Sequence, residues 1–421
     1  MSYYNKIFNI AYINLLLVIF GYFIVSRYGI GLSPLLKFIR ILFLIYSFYA
    51  LNKIVPYKNI KNNYSSKILF MVFLVLIFIS SIMAEYPIYV LSNLLVFIPS
   101  IIFTIFLVNT SYNKLGLEGT KILLLRLFIK CFSIPLISSI FFNGNYYLGK
   151  DLYGQNFNTI SESVRTGFYS NHLAWSGIIV LSSSFAYLEM SRLKKSKKLL
   201  LYFLILFSVM TIINSGSRAI LATLVIYFFV FFLKNSNFIK TLILTCFIIF
   251  SFTKVDFSKL DSINFMINRT NVHLVNQENF ARFAFLSSGL KLFDENPLRY
   301  LTGIGLFNRK VIKEQNFTFI SGHRGKYSFS NFHNSYADIL FGGGVFVFFI
   351  FVYLVLYKSL RQLWKFDDKY FLLVIPLHLI AMTESSLQGG QFIFYPLFYF
   401  ICVSNLKCLN VNYTKKPILE M

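Results

Sequence analysis

Residues 88–108, IYVLSNLLVFIPSIIFTIFLV, decide the fold. The run carries no charged residue, and its length matches the roughly 20 apolar residues a helix needs to cross a bilayer core. Working outward, comparable runs recur near 7–26, 35–51, 68–83, 121–142, 169–188, 199–214, 218–233, 238–254, 335–357, 370–384 and 391–406. Two are interrupted by charge, at Lys37 and Arg40 in one and at Arg126 and Lys130 in another. Such side chains either snorkel to the interface or face the bundle interior. Composition agrees, with 57% hydrophobic residues, 13% charged residues and a mean hydropathy of +0.65, too apolar for a soluble domain. The expected fold is an all-α polytopic membrane protein with about twelve transmembrane helices.

The net charge of +24 invites a nucleic-acid reading, but its distribution opposes one. With twelve spans and an internal N-terminus, the cytoplasmic loops carry Lys53, Lys58, Lys61 and Lys67, then Lys114 and Lys121. They also carry the run Arg192, Lys194, Lys195, Lys197 and Lys198, then Lys234, Lys240, Lys358, Arg361, Lys365 and Lys369. Lys407, Lys415 and Lys416 end the chain, while the short external loops hold only Arg27, Lys150, Arg165 and Arg218. That alternation satisfies the positive-inside rule. Basic charge therefore sets topology, with both termini cytoplasmic, and no nucleic-acid partner is expected. The first span lacks a small-residue cleavage pattern and reads as retained rather than as a removable signal. Cys131, Cys246, Cys402 and Cys408 show no CxxC spacing, so neither a disulfide framework nor a zinc site is indicated.

Three sections follow: residues 1–254 with nine spans and a small external loop near 143–168, a large external loop over 255–334, and residues 335–421 with three spans and a cytoplasmic tail. Within the large loop, residues 278–293 read as an amphipathic helix with Phe283, Leu286, Leu290 and Phe293 as its apolar stripe and Arg282 at the border. Asp294-Glu-Asn-Pro297 stops it. Next comes the paired glycine Gly303-Ile-Gly305, which fits either a plain turn or a loop that lets backbone approach a ligand. A basic and aromatic stretch containing Arg309, Lys310, Lys313, Phe317, Phe319, His323, Arg324, Lys326, Tyr327 and Phe329 fits phosphates and sugar faces, and equally a solvated loop. The loop closes on His333-Asn334, where a polar segment opens the next apolar helix.

Arg165, Arg218, Arg282 and His333 all fall on the external side at or near span ends. Arginine is always charged and its forked donors match phosphate oxygens, so several at one membrane face form a clamp for a departing pyrophosphate. A histidine, with an unperturbed pKa of about 6.5, is the usual group to take a proton from an attacking hydroxyl. The implied chemistry is group transfer from a lipid pyrophosphate to an alcohol. No HExxH, paired metal carboxylates or Walker loop occurs in the external loops, so neither metal nor cofactor is expected. Asn334 either orients His333 or caps the following helix. Asp338 either pairs with Arg218 or serves as an alternative base. Glu384, His172 and Gly342-Gly-Gly344 read as interfacial, structural and packing residues respectively.

At these positions the chain resembles the bacterial O-antigen polymerases and O-antigen ligases. The resemblance rests on Arg165-Thr-Gly167, on Ser215-Gly-Ser217-Arg218, and on Arg282. It also rests on Gly303-Ile-Gly305, and on His333-Asn334-Ser-Tyr followed by Gly342-Gly-Gly344. It spans roughly residues 160–385, and what it implies is a multi-pass inner-membrane glycosyltransferase of GT-C-like type, metal-independent and inverting. Its substrate would be an undecaprenyl-pyrophosphate-linked oligosaccharide, with a chain-length regulator as an optional partner. On this resemblance His333 is the catalytic base or acceptor-binding residue, and Arg165, Arg218 and Arg282 hold the pyrophosphate. Ser217, Gly303, Gly305, Asn334 and Asp338 support them. The sparse pattern favours polymerase over ligase, since polymerases of this type vary more in sequence. A lipid-linked oligosaccharide flippase is the alternative from another class, but transporters place polar residues near the midplane and show repeated halves.

The topology is checked by single cysteines in a cysteine-free background. Cysteine at Tyr147, Ser321 or Gly389 is expected to react with an impermeant thiol reagent in intact cells, whereas cysteine at Ser196, Ser236 or Asp368 is not. Labelling at Ser196 would reverse the orientation.

Overall fold

The computed structural model describes residues 3–28, 33–54, 67–141, 170–191, 193–215, 218–235, 281–314, 318–321, 325–328, 332, 334–366, 369–383 and 394–406. The first helices are α1 (Tyr3–Tyr28), α2 (Ser33–Ile54), α3 (Lys67–Ile82) and α4 (Pro87–Phe141). They are followed by α5 (Ser170–Met190), α6 (Lys195–Asn214) and α7 (Arg218–Asn235). A second group comprises α8 (Ala281–Glu295), α9 (Arg299–Thr302) and α10 (Arg309–Glu314). After it, β1 (Thr318–Ser321) pairs antiparallel with β2 (Gly325–Ser328), Phe319 opposite Tyr327. Then come α11 (Ser335–Val352), a π turn at Tyr353–Tyr357, α12 (Lys358–Phe366), a 3-10 turn at Lys369–Leu373, α13 (Val374–Thr383) and α14 (Phe394–Ser404). The all-α expectation is met except for this one short hairpin.

Among the described residues six stretches are long and apolar enough to cross a membrane, in α1, α2, α4, α5, α6 and the α11–α12 run. Shorter apolar helices include α3 and α7. The expected span at 238–254 lies outside the described residues. One boundary differs from expectation: the residues between 108 and 121 are helical rather than a loop. A straight helix from 87 to 141 would measure about 80 Å, far beyond a bilayer core of about 30 Å. The chain interrupts it at Gly116, whose φ of 72° and ψ of −178° are non-helical. The break falls within the polar stretch 109–120, NTSYNKLGLEGT, that separates the two expected spans, but helix continues up to it from both sides.

The core forms around α5, whose Leu173, Ala174, Trp175, Ile178, Ile179 and Leu181 are buried, packed chiefly against α4 and α6. By contrast α2 and α6 carry large apolar side chains outward, Leu42, Ile45 and Tyr46 on one and Leu199, Phe203 and Leu206 on the other. Helices apolar on every side belong in lipid. The charges inside the spans have local partners. The guanidinium of Arg126 lies 5.3 Å from the ring centre of Phe8, and the Lys130 ammonium 5.1 Å from the same ring. Lys37 donates to Asn93 at 3.1 Å and Arg40 to Ser100 at 2.9 Å. Cys131 and Cys402 are buried free thiols; Cys246 and Cys408 fall outside the described residues.

The second group of helices is joined to the bundle backbone to backbone. Within α11, Gly344 is non-helical (φ 84°, ψ 175°). In an unbroken helix the carbonyls of Phe341 and Gly342 would accept from residues 345 and 346, and the break releases them. The Ile304 amide donates to Phe341 O at 2.8 Å and the Gly305 amide to Gly342 O at 3.0 Å. Ser80 of α3 adds its hydroxyl to Gly342 O at 2.9 Å. Such an approach leaves no room for side chains. A Cβ on Gly303 would strike the Gly342 carbonyl, and one on Gly344 the Leu301 carbonyl. One on Gly305 would lie 2.6 Å from the Ala84 Cβ. Gly303 and Gly305 also hold φ of +69° and +91°, costly for any residue with a Cβ.

Replacing Gly344 or Gly303 by alanine is expected to lower stability by more than about 2 kcal/mol, since backbone strain and collision add. Gly21→Ala in α1, where nothing lies within 4 Å, is expected to be neutral or stabilising by up to about 1 kcal/mol. Thermal unfolding of the detergent-solubilised proteins measures both, and equal melting points for Gly344→Ala and wild type would contradict the lock.

Candidate functional site

The loop helices and the start of α11 share a small core of their own. Leu292 and Phe293 of α8, Ile304, Val311 and Ile312, Phe332, and Ala337 and Phe341 of α11 are all buried there. Of the apolar stripe read from the sequence, Phe293 is buried there while Leu286 and Leu290 are exposed; Ser288 and Leu292 are buried as well. Gly289 faces the Phe341 ring so closely that a Cβ would collide with it. The helix therefore docks through one turn of small residues around an aromatic plug, a face that hydrophobicity alone does not reveal.

Arg299, at the start of α9, ties this unit to the α3–α4 turn. Its guanidinium donates to Leu292 O at 3.0 Å and forms an ion pair with Glu85 at 3.0 Å. Lys310 lies over the Tyr86 ring at 4.6 Å. Tyr300 donates its hydroxyl to Asp294 at 2.8 Å, and that bond raises the phenol pKa. Leu306 and Phe307 then enter the main core, with the Phe307 ring 5.0 Å from that of Phe97 on α4. Phe307 has φ of 68°, a conformation a bulky residue keeps only when its surroundings demand it. Here the preceding lock and the Asn308 side chain, bonded to Ile304 O at 2.8 Å, supply that demand. Arg299, Glu85 and Asn308 carry no sequence signal beyond their polarity and were missed.

Phe332 and the residues that open α11 are tied together. Asn334 caps the helix, its Oδ1 accepting from the amides of Tyr336 at 2.9 Å and Ala337 at 3.1 Å. This is the N-cap geometry expected of asparagine. Asp338 is buried and accepts from the Phe332 amide at 3.4 Å, so its carboxylate reaches back across the turn. Phe332 is itself buried beside Phe341. One turn on, Tyr336 hydrogen-bonds to Nδ1 of His378 on α13 and packs against Phe351. The first half of α11 is thus a seam, with Ala337 and Phe341 toward the loop core and Tyr336 and Ile339 toward the bundle.

His333, Arg165 and Ser217 lie outside the described residues. Arg218 opens α7 and Arg282 is the second residue of α8. Gly303 and Gly305 are committed to the lock, and Gly342-Gly-Gly344 to close packing. His172, expected to be structural, is buried beside the Trp175 ring at 4.9 Å. Glu384 is outside the described residues. His378, buried and paired with Tyr336, had no motif to announce it. Among the described residues no group of three or more His, Cys, Asp or Glu is placed to hold a metal.

Part of the chain is similar to a known family. Residues 201–352 match the O-antigen ligase family. The stretch begins in α6, includes Arg218, Arg282, the glycine pair and the His333-Asn334 turn, and closes where α11 ends. It bears out the resemblance to O-antigen ligases and polymerases. Over that stretch the chain is similar to this family, and six described helical stretches are long and apolar enough to cross a membrane. No curated protein matches it.

Asn334→Ala is expected to destabilise by about 0.5–2 kcal/mol through loss of the cap, and Asn334→Asp, which also caps, to retain most of that. Melting curves compare them. Equal loss in both variants would show that the amide does something other than capping.

Proposed function

We propose that the protein is a surface-polysaccharide polymerase that joins undecaprenyl-pyrophosphate-linked repeat units at the external face of the inner membrane. In this reading about twelve helices span the bilayer, both termini are cytoplasmic, and residues 255–334 form the external loop. The observation that carries it is the O-antigen ligase match over 201–352, which contains the turn pinned at Phe332 and Asn334.

In the proposed reaction an acceptor sugar hydroxyl attacks the anomeric carbon of the donor. The bond from that carbon to the pyrophosphate oxygen breaks, and the lipid pyrophosphate leaves with the electron pair. His333 takes the hydroxyl proton, while Arg165, Arg218 and Arg282 stabilise the charge on the leaving group. Inversion at carbon follows from a single displacement. Asp338, bonded to the Phe332 amide, orients the turn in this scheme. The ligase reading keeps the same chemistry and is favoured by the description of the matched family. It differs in acceptor, which is then a lipid A core sugar.

Gel analysis of surface polysaccharide after gene deletion separates the readings. A polymerase mutant is expected to display single repeat units, because their transfer to the surface persists. A ligase mutant would accumulate lipid-linked polymer with nothing on the core, and a flippase mutant would retain repeat units on the cytoplasmic side. His333→Ala is expected to reproduce the polymerase phenotype, as loss of a general base costs about 10²–10⁴-fold in rate. Normal chain length in His333→Ala cells would reject His333. Arg218→Lys keeps charge but loses the fork and is expected to impair polymer formation severely. Arg165→Ala and Arg282→Ala are expected to do the same, and Arg309→Ala to be milder.

A further inference from the structure

α11 does not run straight through the bundle. Tyr336 and Phe351 would lie about 22 Å apart along an unbroken helix, yet their ring centres are 5.7 Å apart. The helix is therefore folded at Gly344, and its two halves converge where these rings meet. A polar group sits at the point of convergence. Tyr336 hydrogen-bonds to Nδ1 of His378 on α13, and the two rings stack at 6.2 Å. The backbone of Val355, in the π turn that follows α11, lies beside the same imidazole. His378 is buried. It thus joins both halves of the folded helix to α13, and it lies beyond the 201–352 stretch that matches the O-antigen ligase family.

The fold at Gly344 makes the first half of α11 a lever. The amides of Ile304 and Gly305 grip it at Phe341 and Gly342, close to the break. Its far end, at Ser335, lies about 12 Å further along the axis, so a swing of about 10° displaces that end by about 2 Å. A misplacement of about 1 Å can cost a reacting site about 100-fold in rate. Asn334 caps the far end, but a cap moves with the helix it caps. The Phe332–Asp338 bond is likewise local to the turn. The Tyr336 hydroxyl instead reaches a separate helix from the first turn itself. As the phenol donates, Nδ1 is the unprotonated nitrogen of a neutral imidazole. A hydrogen bond of this kind fixes direction as well as contact, which the apolar packing of Ile339 alone does not.

We propose that His378 is a positioning residue of the transfer site, acting through Tyr336 to fix the first turn of α11, which follows directly on His333-Asn334. The inference rests on the reading of that turn as the place of group transfer, and adds to it a residue outside the matched family stretch.

The test applies two readouts to full-length protein in phosphatidylcholine nanodiscs. One is hydrogen exchange of the amides of residues 335–341. The other is the initial rate of transfer from lipid-linked glycan extracted from cells lacking the gene, alone or with lipid A core as acceptor. Tyr336→Phe keeps the ring against Phe351 and removes only the hydroxyl, His378→Leu removes the acceptor, and His378→Asn sets an amide oxygen near the place of Nδ1. Tyr336→Phe and His378→Leu are expected to speed exchange over 335–341 and to lower kcat by about 10- to 100-fold with KM little changed. His378→Asn is expected to bring both readouts back to within about threefold of wild type. If His378→Leu does not fold, Tyr336→Phe carries the test. Unchanged kcat in Tyr336→Phe and His378→Leu, equal losses in His378→Asn and His378→Leu, or a fall in kcat without faster exchange would each overturn the proposal. Transfer by wild type to lipid A core alone overturns the polymerase reading and not this one, because the variants are then ranked on that transfer. Transfer to neither acceptor overturns both.

Discussion

Everything at the candidate site hangs on two amide–carbonyl bonds, from Ile304 and Gly305 to Phe341 and Gly342. They exist because α11 breaks at Gly344, and the broken helix needs donors for carbonyls it can no longer satisfy internally. An unsatisfied carbonyl in a membrane interior costs several kcal/mol, so the break and the loop that repairs it are one feature. Three glycines, at 303, 342 and 344, let the two backbones meet without intervening side chains. Gly342 O accepts from both Gly305 and Ser80, so the same carbonyl joins the loop, α11 and α3.

The consequence for function is geometric. A loop attached to a bundle by side chains alone can rock, because rotamers change on short timescales. A loop attached by its backbone is fixed relative to the helix it repairs. The turn before α11 inherits that rigidity through Phe332 and Phe341, whose rings pack at 4.8 Å. A cap at Asn334 and a carboxylate at Asp338 then fix Phe332 and the first turn of α11. A group-transfer site needs such preorganisation more than it needs additional reactive groups.

The parts legible in the sequence are those written in local pattern. Apolar length pointed to the six described stretches long enough to cross a membrane, the Asp294–Pro297 stop placed the end of α8 near its observed terminus at Glu295, and Asn334 announced a cap. What was illegible depends on contacts between distant residues. Gly303 and Gly344 are separated by forty positions, and neither sequence segment signals the other. Leu286 and Leu290 fit a helical stripe but point outward, because the docking face of α8 is chosen by the space that Gly289 leaves for Phe341. The polar stretch 109–120 marked a connection between two spans, but not that helix persists on both sides of Gly116. Arg299 was one basic residue among many until Glu85, on another element, gave it a partner.

The cations of α2 extend the same logic from backbone to charge. A membrane protein must satisfy each polar group it buries, from within or from the lipid. Carbonyls released by Gly344 find amides, and the charges of Arg126 and Lys130 find the Phe8 ring. Lys37 donates to Asn93 and Arg40 to Ser100, so these cations too are met by polar groups of the neighbouring helix.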